Sequence, residues 1–158
     1  GIETIERMND LGIIVDVSHL SDGGFLDVLR YCKKPFVASH SNSRYITNHN
    51  RNLTDSMIKS LSNKGGVIGI NFCNSFLGDS KIAKIDDMIK HIEHIKRIGG
   101  IDCISLGTDF DGIENEVEIK NIGGIEKLYN ELKISGFTYN EIEKIFYKNA
   151  ERIIKDIL

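Results

Sequence analysis

The chain has 158 residues, 41% of them apolar and 27% charged, with a formal net charge of −3. This suffices for one core and gives neither a basic field for nucleic acid nor a polybasic patch for a membrane surface. No apolar run approaches a membrane span, and Cys32, Cys73 and Cys103 form no C-x-x-C, so neither a disulfide framework nor a thiolate zinc site is indicated. Free thiols suit a reducing compartment, and a cytoplasmic location is the expectation.

In chain order, four short runs rich in Val, Ile or Phe read as strands covered on both faces. Residues 13–17 form the first, and a helical pattern over 22–33 follows it. Residues 36–39 form the second, and a polar loop leads from it to a helix over 54–64. The third, 67–72, precedes a helix over 85–98, with Ile85, Met88, Ile89, Ile92, Ile95 and Ile98 at helical spacing. The fourth, 103–107, precedes a helix over 123–134. A last helix over 139–157 opens on Thr138-x-x-Glu141, a capping box. Gly65-Gly66 and Gly99-Gly100 stand where helices should end. No linker or low-complexity segment divides the chain, so residues 1–158 read as part of a single domain.

Strands alternating with helices predict a parallel sheet. Four such units with a closing helix amount to about half of an eight-unit barrel, which takes ~250 residues. An open doubly wound sheet is the competing shape, and either architecture builds its site at the carboxyl ends of strands. His19 stands just beyond the first strand, His40 just beyond the second, Asn71 at the end of the third and Asp109 after the fourth, in SLGTDFDG. Two imidazoles on neighbouring strands, ~4.8 Å apart, suit zinc or another divalent transition metal, and an aspartate beside them suits proton transfer. The plainer alternative makes each histidine a hydrogen-bonded loop residue and the aspartate a turn cap.

The loop after His40 carries Arg44 and Arg51. A guanidinium at such a rim suits bidentate capture of a carboxylate, and an ordinary surface arginine is the alternative. His91 and His94 flank the apolar stripe of the 85–98 helix and read as a solvated face.

Several stretches together resemble the renal (membrane) dipeptidase family of zinc peptidases, an amidohydrolase-like group. They are MNDLGIIVDVSHLSD, PFVASHSNSR, RNLTDSMIKSL with GGVIGINF, DDMIKHIEHIKRIGG leading into SLGTDFDG, and NEIEKIFYKNAERI. The 21 positions from His19 to His40 fit the family's histidine pair. The resemblance implies an α/β fold, the C-terminal half of a (β/α)8 TIM-type barrel, and zinc-dependent hydrolysis of dipeptides. It also implies that His19 and His40 bind one zinc of a two-zinc site. Arg51 would hold the free carboxylate of the dipeptide, and Asp109 would handle the proton on the tetrahedral intermediate or leaving amine.

The family's H-x-D motif is missing, since none of the five histidines is followed at the second position by Asp. The chain begins on Gly1, and the expectation is a C-terminal portion that supplies ligands for at most one zinc. Its expected partners are a dipeptide substrate and a missing N-terminal half or a second copy of itself. An inactive half-barrel remnant with a weak single-metal site is the alternative. A third possibility keeps the metal frame but acts on another amide or a phosphoester.

Overall fold

The computed structural model describes residues 1–114 and 116–158. Three strands form a parallel sheet in the order β1 (Val37–Ala38), β2 (Val67–Ile70) and β3 (Ile104–Leu106). Val37 pairs with Val67, and Ile68 pairs with Ile104. The expected first strand is reduced to one parallel bridge, Asp16 to Val37. Its backbone still joins the sheet: Val17 N–H donates to the Val37 carbonyl at 2.8 Å, and Val37 N–H donates to that of Val15 at 2.9 Å. Four parallel segments are therefore present, but the first is too short for a full ladder.

Each expected helix forms. They are α2 (Asp22–Tyr31), α3 (Asp55–Asn63), α5 (Ile85–Gly99) and α6 (Glu126–Ile134), then α7 (Tyr139–Glu143) and α8 (Asn149–Ile157), which a π turn over Lys144–Lys148 joins. Thr54 caps α3 by accepting the Met57 N–H, and the Thr138–Glu141 capping box opens α7. Gly65 follows α3 at φ +76°, a left-handed conformation that favours glycine.

Two α-helices among the described residues were not anticipated. The first, α1 (Ile2–Leu11), buries Ile5 and Asn9 and ends on Gly12 at φ +69°. The Asn9 side chain accepts from the Lys33 and Lys34 backbone N–H groups at 3.1 and 3.3 Å, tying α1 to the entry of β1. The other is a single turn, α4 (Asn74–Leu77), just past β2.

Alternation along the strands divides the sheet into two faces. Ala38, Ile68, Ile70 and Ile104 are fully buried and share a core with Ile58 and Leu61 of α3 and Met88, Ile92 and Ile95 of α5. On the other face, Val67 packs with Ile153 and Ile157 of α8, and Ile14 and Val37 join that cluster. Asn149 clamps α8 to the sheet by donating to the carbonyls of Ile101 and Ile104, both at 2.8 Å.

His91 and His94 correct the sequence reading. Both are buried, at 0% and 3% exposure, not solvated. Ser43 N–H donates to His91 Nδ1 at 3.0 Å, and His91 Nε2 donates to the Leu77 carbonyl at 3.0 Å. Arg97 donates to His94 Nδ1 at 2.7 Å, and His94 Nε2 bonds Asp55 at 2.7 Å, with Tyr45 stacked on the ring. Two histidines three residues apart on an amphipathic helix thus anchor the loop after His40 and the start of α3.

Burial pushes His91 down to about 4. The unfolded chain, with an ordinary value near 6.5, takes up that proton first. Stability from this group is therefore full above pH ~6.5 and falls as pH drops towards ~4, by about 3 kcal/mol in all. Urea midpoints across this range should show the loss in the wild-type chain and a smaller one in His91→Gln. Parallel curves for the two proteins would exclude His91 as the source.

Candidate active site

Strand ends place the polar residues. Residues 18 and 19 follow the first segment and residues 39 and 40 follow β1. The ends of these neighbouring segments bring the two rings together, with His19 Nε2 and His40 Nε2 2.9 Å apart. Two nitrogens sharing one tetrahedral zinc at ~2.05 Å would stand ~3.3 Å apart. A small opening of the pair therefore accommodates an ion.

The surroundings of His40 set its chemistry. Its Nδ1 lies 2.7 Å from Ser39 Oγ, and Ser39 Oγ donates to Asp16 Oδ2 at 2.5 Å. Asp16 Oδ1 accepts the backbone N–H groups of Ser18 and Ser39, both at 3.0 Å. Burial pushes the Asp16 carboxyl up, but the hydrogen bonds from Ser39 and Ser18 outweigh it, and its pKa lies below the ordinary value. Partial burial is the largest cause holding the His40 pKa below the usual histidine value. The charges of Asp109 and Asp16 oppose that shift, while His19 and Arg51 add to it. A neutral imidazole is the form that binds a metal.

Asp109 and Asn71 meet beside His40, whose carbonyl lies 3.5 Å from Asn71 Nδ2. The backbone of Asp109 is left-handed, at φ +58°, a conformation that Asp tolerates better than most residues. Asn71 donates from Nδ2 to Asp109 Oδ2 at 3.1 Å and accepts the Cys73 N–H at 2.6 Å. Asn71 thus serves the loop backbone and the carboxylate at once. A Cβ at Gly112 would lie 2.2 Å from Asp109 Oδ1, so glycine at 112 leaves the carboxylate its place.

The two arginines separate cleanly. Arg44 is consumed in structure: its two terminal nitrogens pair with both Asp22 oxygens at 2.8 Å, and Nε donates to the Asn52 carbonyl at 2.8 Å. Arg51 donates from Nε to the Ser18 carbonyl at 2.8 Å, next to His19. Its guanidinium lies 5.3 Å from the centre of the Phe76 ring, and its Nη2 is buried without a hydrogen-bond partner among the described residues. A buried, unpaired charged donor costs free energy unless a ligand meets it.

All four candidate residues therefore lie at one end of the sheet. Among the described residues, no three His, Cys, Asp or Glu side chains converge in a metal-holding group. The sequence reading missed Asp16 and Ser39. The signal was present in the matched pairs Asp16-x-Ser18-His19 and Ser39-His40, which place a hydroxyl before each imidazole and a carboxylate beneath them.

Parallel strands, flanking helices and a polar site beyond the strand ends define an α/β protein whose likeness to known proteins is specific. The profile of the membrane dipeptidase family, peptidase family M19, matches residues 1–158, and the chain belongs to that family. It is 34% identical over 164 residues to an uncharacterized protein in the pqqA 5′ region of Klebsiella pneumoniae, covering 99% of this chain and 59% of that protein. It is 43% identical over 115 residues to an uncharacterized dipeptidase of Schizosaccharomyces pombe, covering 72% of this chain and 28% of that one. Among solved structures, a metallopeptidase from Rhodobacter sphaeroides liganded with a phosphinate mimic of the dipeptide L-Ala-D-Ala superposes with a TM-score of 0.95. The two are 30% identical, over 100% of this chain and 46% of the other. The chain thus spans between about a quarter and three fifths of the length of these relatives.

Proposed function

We propose that this chain carries the C-terminal half of the (β/α)8 barrel of a zinc-dependent dipeptidase. The observation that carries the reading is the buried Nη2 of Arg51, which has no hydrogen-bond partner among the described residues and is held beside the His19–His40 pair. A guanidinium so placed matches the free carboxylate of a short peptide, and the Rhodobacter sphaeroides relative takes a dipeptide mimic. The half-barrel reading draws support from Ile13, which is 47% exposed in the edge segment outside β1.

His19 and His40 would hold one zinc through Nε2, and the complete site would hold two. Zinc, when bound, supplies a Lewis acid that polarises the scissile carbonyl. The remaining work falls to the chain's own groups. Arg51 pairs with the terminal carboxylate and fixes the peptide's register. Asn71 fastens Asp109 Oδ2, leaving Oδ1 to take a proton from the attacking water and pass it to the departing amine.

Zinc content and dipeptide turnover test the reading. The purified chain should bind at most one zinc, lose it in a His19→Ala/His40→Ala double variant, and turn over dipeptides weakly or not at all. Zinc retained by the double variant would refute the metal assignment. Two zincs with fast turnover would refute the half-site. The absence of a third converging metal ligand among the described residues favours a second reading, in which the chain alone is an inactive remnant. Self-association by light scattering, without turnover, would support it.

A further inference from the structure

We propose that Asp16 and Ser39 are a positioning pair that commits His40 to one tautomer, with Nε2 bare and aimed at the ion. The inference rests on the reading of His40 as a metal ligand. Its ground is the direction each hydrogen bond must take. An ionised carboxylate can only accept, so the single Ser39 hydroxyl proton points to Asp16 Oδ2. Ser39 Oγ then has only lone pairs for His40 Nδ1, so Nδ1 carries the ring proton and donates at 2.7 Å. A neutral His40 is left with a lone pair on Nε2, which faces His19 Nε2. Ligating histidines are oriented this way by groups behind them.

The pair also fixes where the ring sits. Asp16 Oδ1 grips the backbone on both sides of the gap, at Ser18 and Ser39. Ser18 Oγ accepts the His40 N–H at 2.9 Å. The two segments that end in His19 and His40 are thus stitched through one carboxylate, and the separation of their rings depends on it.

Asp16→Asn makes a sharp test because the side chain keeps its shape. Its Oδ1 still accepts the Ser18 and Ser39 N–H groups, but an NH₂ now faces Ser39 Oγ and donates to it. The Ser39 proton then turns to His40 Nδ1 at 2.7 Å in preference to Ser18 Oγ at 3.4 Å, Nδ1 accepts, and the ring proton moves to Nε2. Imidazole ¹⁵N spectra of the metal-free chain should show Nδ1–H on His40 in the wild type and Nε2–H in Asp16→Asn. Zinc affinity, measured against a competing chelator, should fall about 10- to 100-fold in Asp16→Asn and Ser39→Ala. Ser39→Thr, which keeps the hydroxyl, should restore most of it.

An unchanged His40 tautomer in Asp16→Asn, or zinc affinity within about twofold of wild type, would overturn the inference. His40→Ala separates the two ways of failing. If it abolishes zinc binding while Asp16→Asn does not weaken it, the positioning role alone is wrong. If His40→Ala leaves zinc binding intact, the metal reading falls and takes the positioning role with it.

Discussion

Arg51→Ala is expected to weaken binding of a free dipeptide about 10²-fold or more, and to leave binding of the same dipeptide's C-terminal amide almost unchanged. The arginine is prepared for one task. Its Nε is fixed to the Ser18 carbonyl, Phe76 lies 5.3 Å from the guanidinium carbon, and the Arg51 N–H donates to His49 Nδ1 at 3.1 Å. With the side chain already held, a carboxylate that reaches Nη2 gains a charge-assisted bond without ordering a flexible cation. Lysine at 51 should not rescue, because a point charge cannot keep the bond to Ser18 and present a second donor in the same plane. Calorimetric titration of dipeptide and amide against wild type, Arg51→Ala and Arg51→Lys decides the matter. An equal loss for both ligands would mean that Arg51 holds the fold near His19 and does not read the carboxylate.

The second large effect is expected at a residue with no side chain. Gly69→Ala should destabilise the chain by about 3 kcal/mol or more. A Cβ at Gly69 would lie 2.0 Å from the Ser39 backbone oxygen and 2.9 Å from Gly107 Cα, distances that no side-chain rotation relieves. The same oxygen would meet a Cβ at Gly107 at 1.9 Å. Two strands thus approach the end of β1 too closely for any other residue. Ser41 N–H also donates to the Gly69 carbonyl at 2.8 Å, so displacing β2 shifts the backbone on both sides of His40. Urea unfolding should show a lowered midpoint at unchanged slope. Loss of less than about 0.5 kcal/mol would show that the strands separate freely and that this close approach does not hold the site.

Much of the site could be read without coordinates, because strand ends are marked by composition. An apolar run that stops on a polar residue places that residue at an end of a sheet. Four such stops put His19, His40, Asn71 and Asp109 at a common rim. The division between Arg44 and Arg51 could not be read. Both lie in one polar loop, and only the fold carries Asp22 to within 2.8 Å of Arg44 and leaves Arg51 without such a partner among the described residues. His91 and His94 were misread for a related reason. A histidine beside an apolar stripe is solvated or buried according to what packs over it, and here Ser43, Leu77 and Asp55 come from other elements.

By itself the sequence determined the alternation of strand and helix, the caps that end the helices, and the family to which the chain belongs. The first two rest on patterns within a few residues of one another, which the backbone obeys locally, and the family rests on the order and spacing of motifs along the chain. The tertiary structure alone decided which strand shortens to a single bridge, which of Arg44 and Arg51 pairs with Asp22, and which protonation pattern His40 takes. Each depends on groups more than twenty positions apart, such as Asp16 and Ser39, whose meeting is a property of the packed sheet.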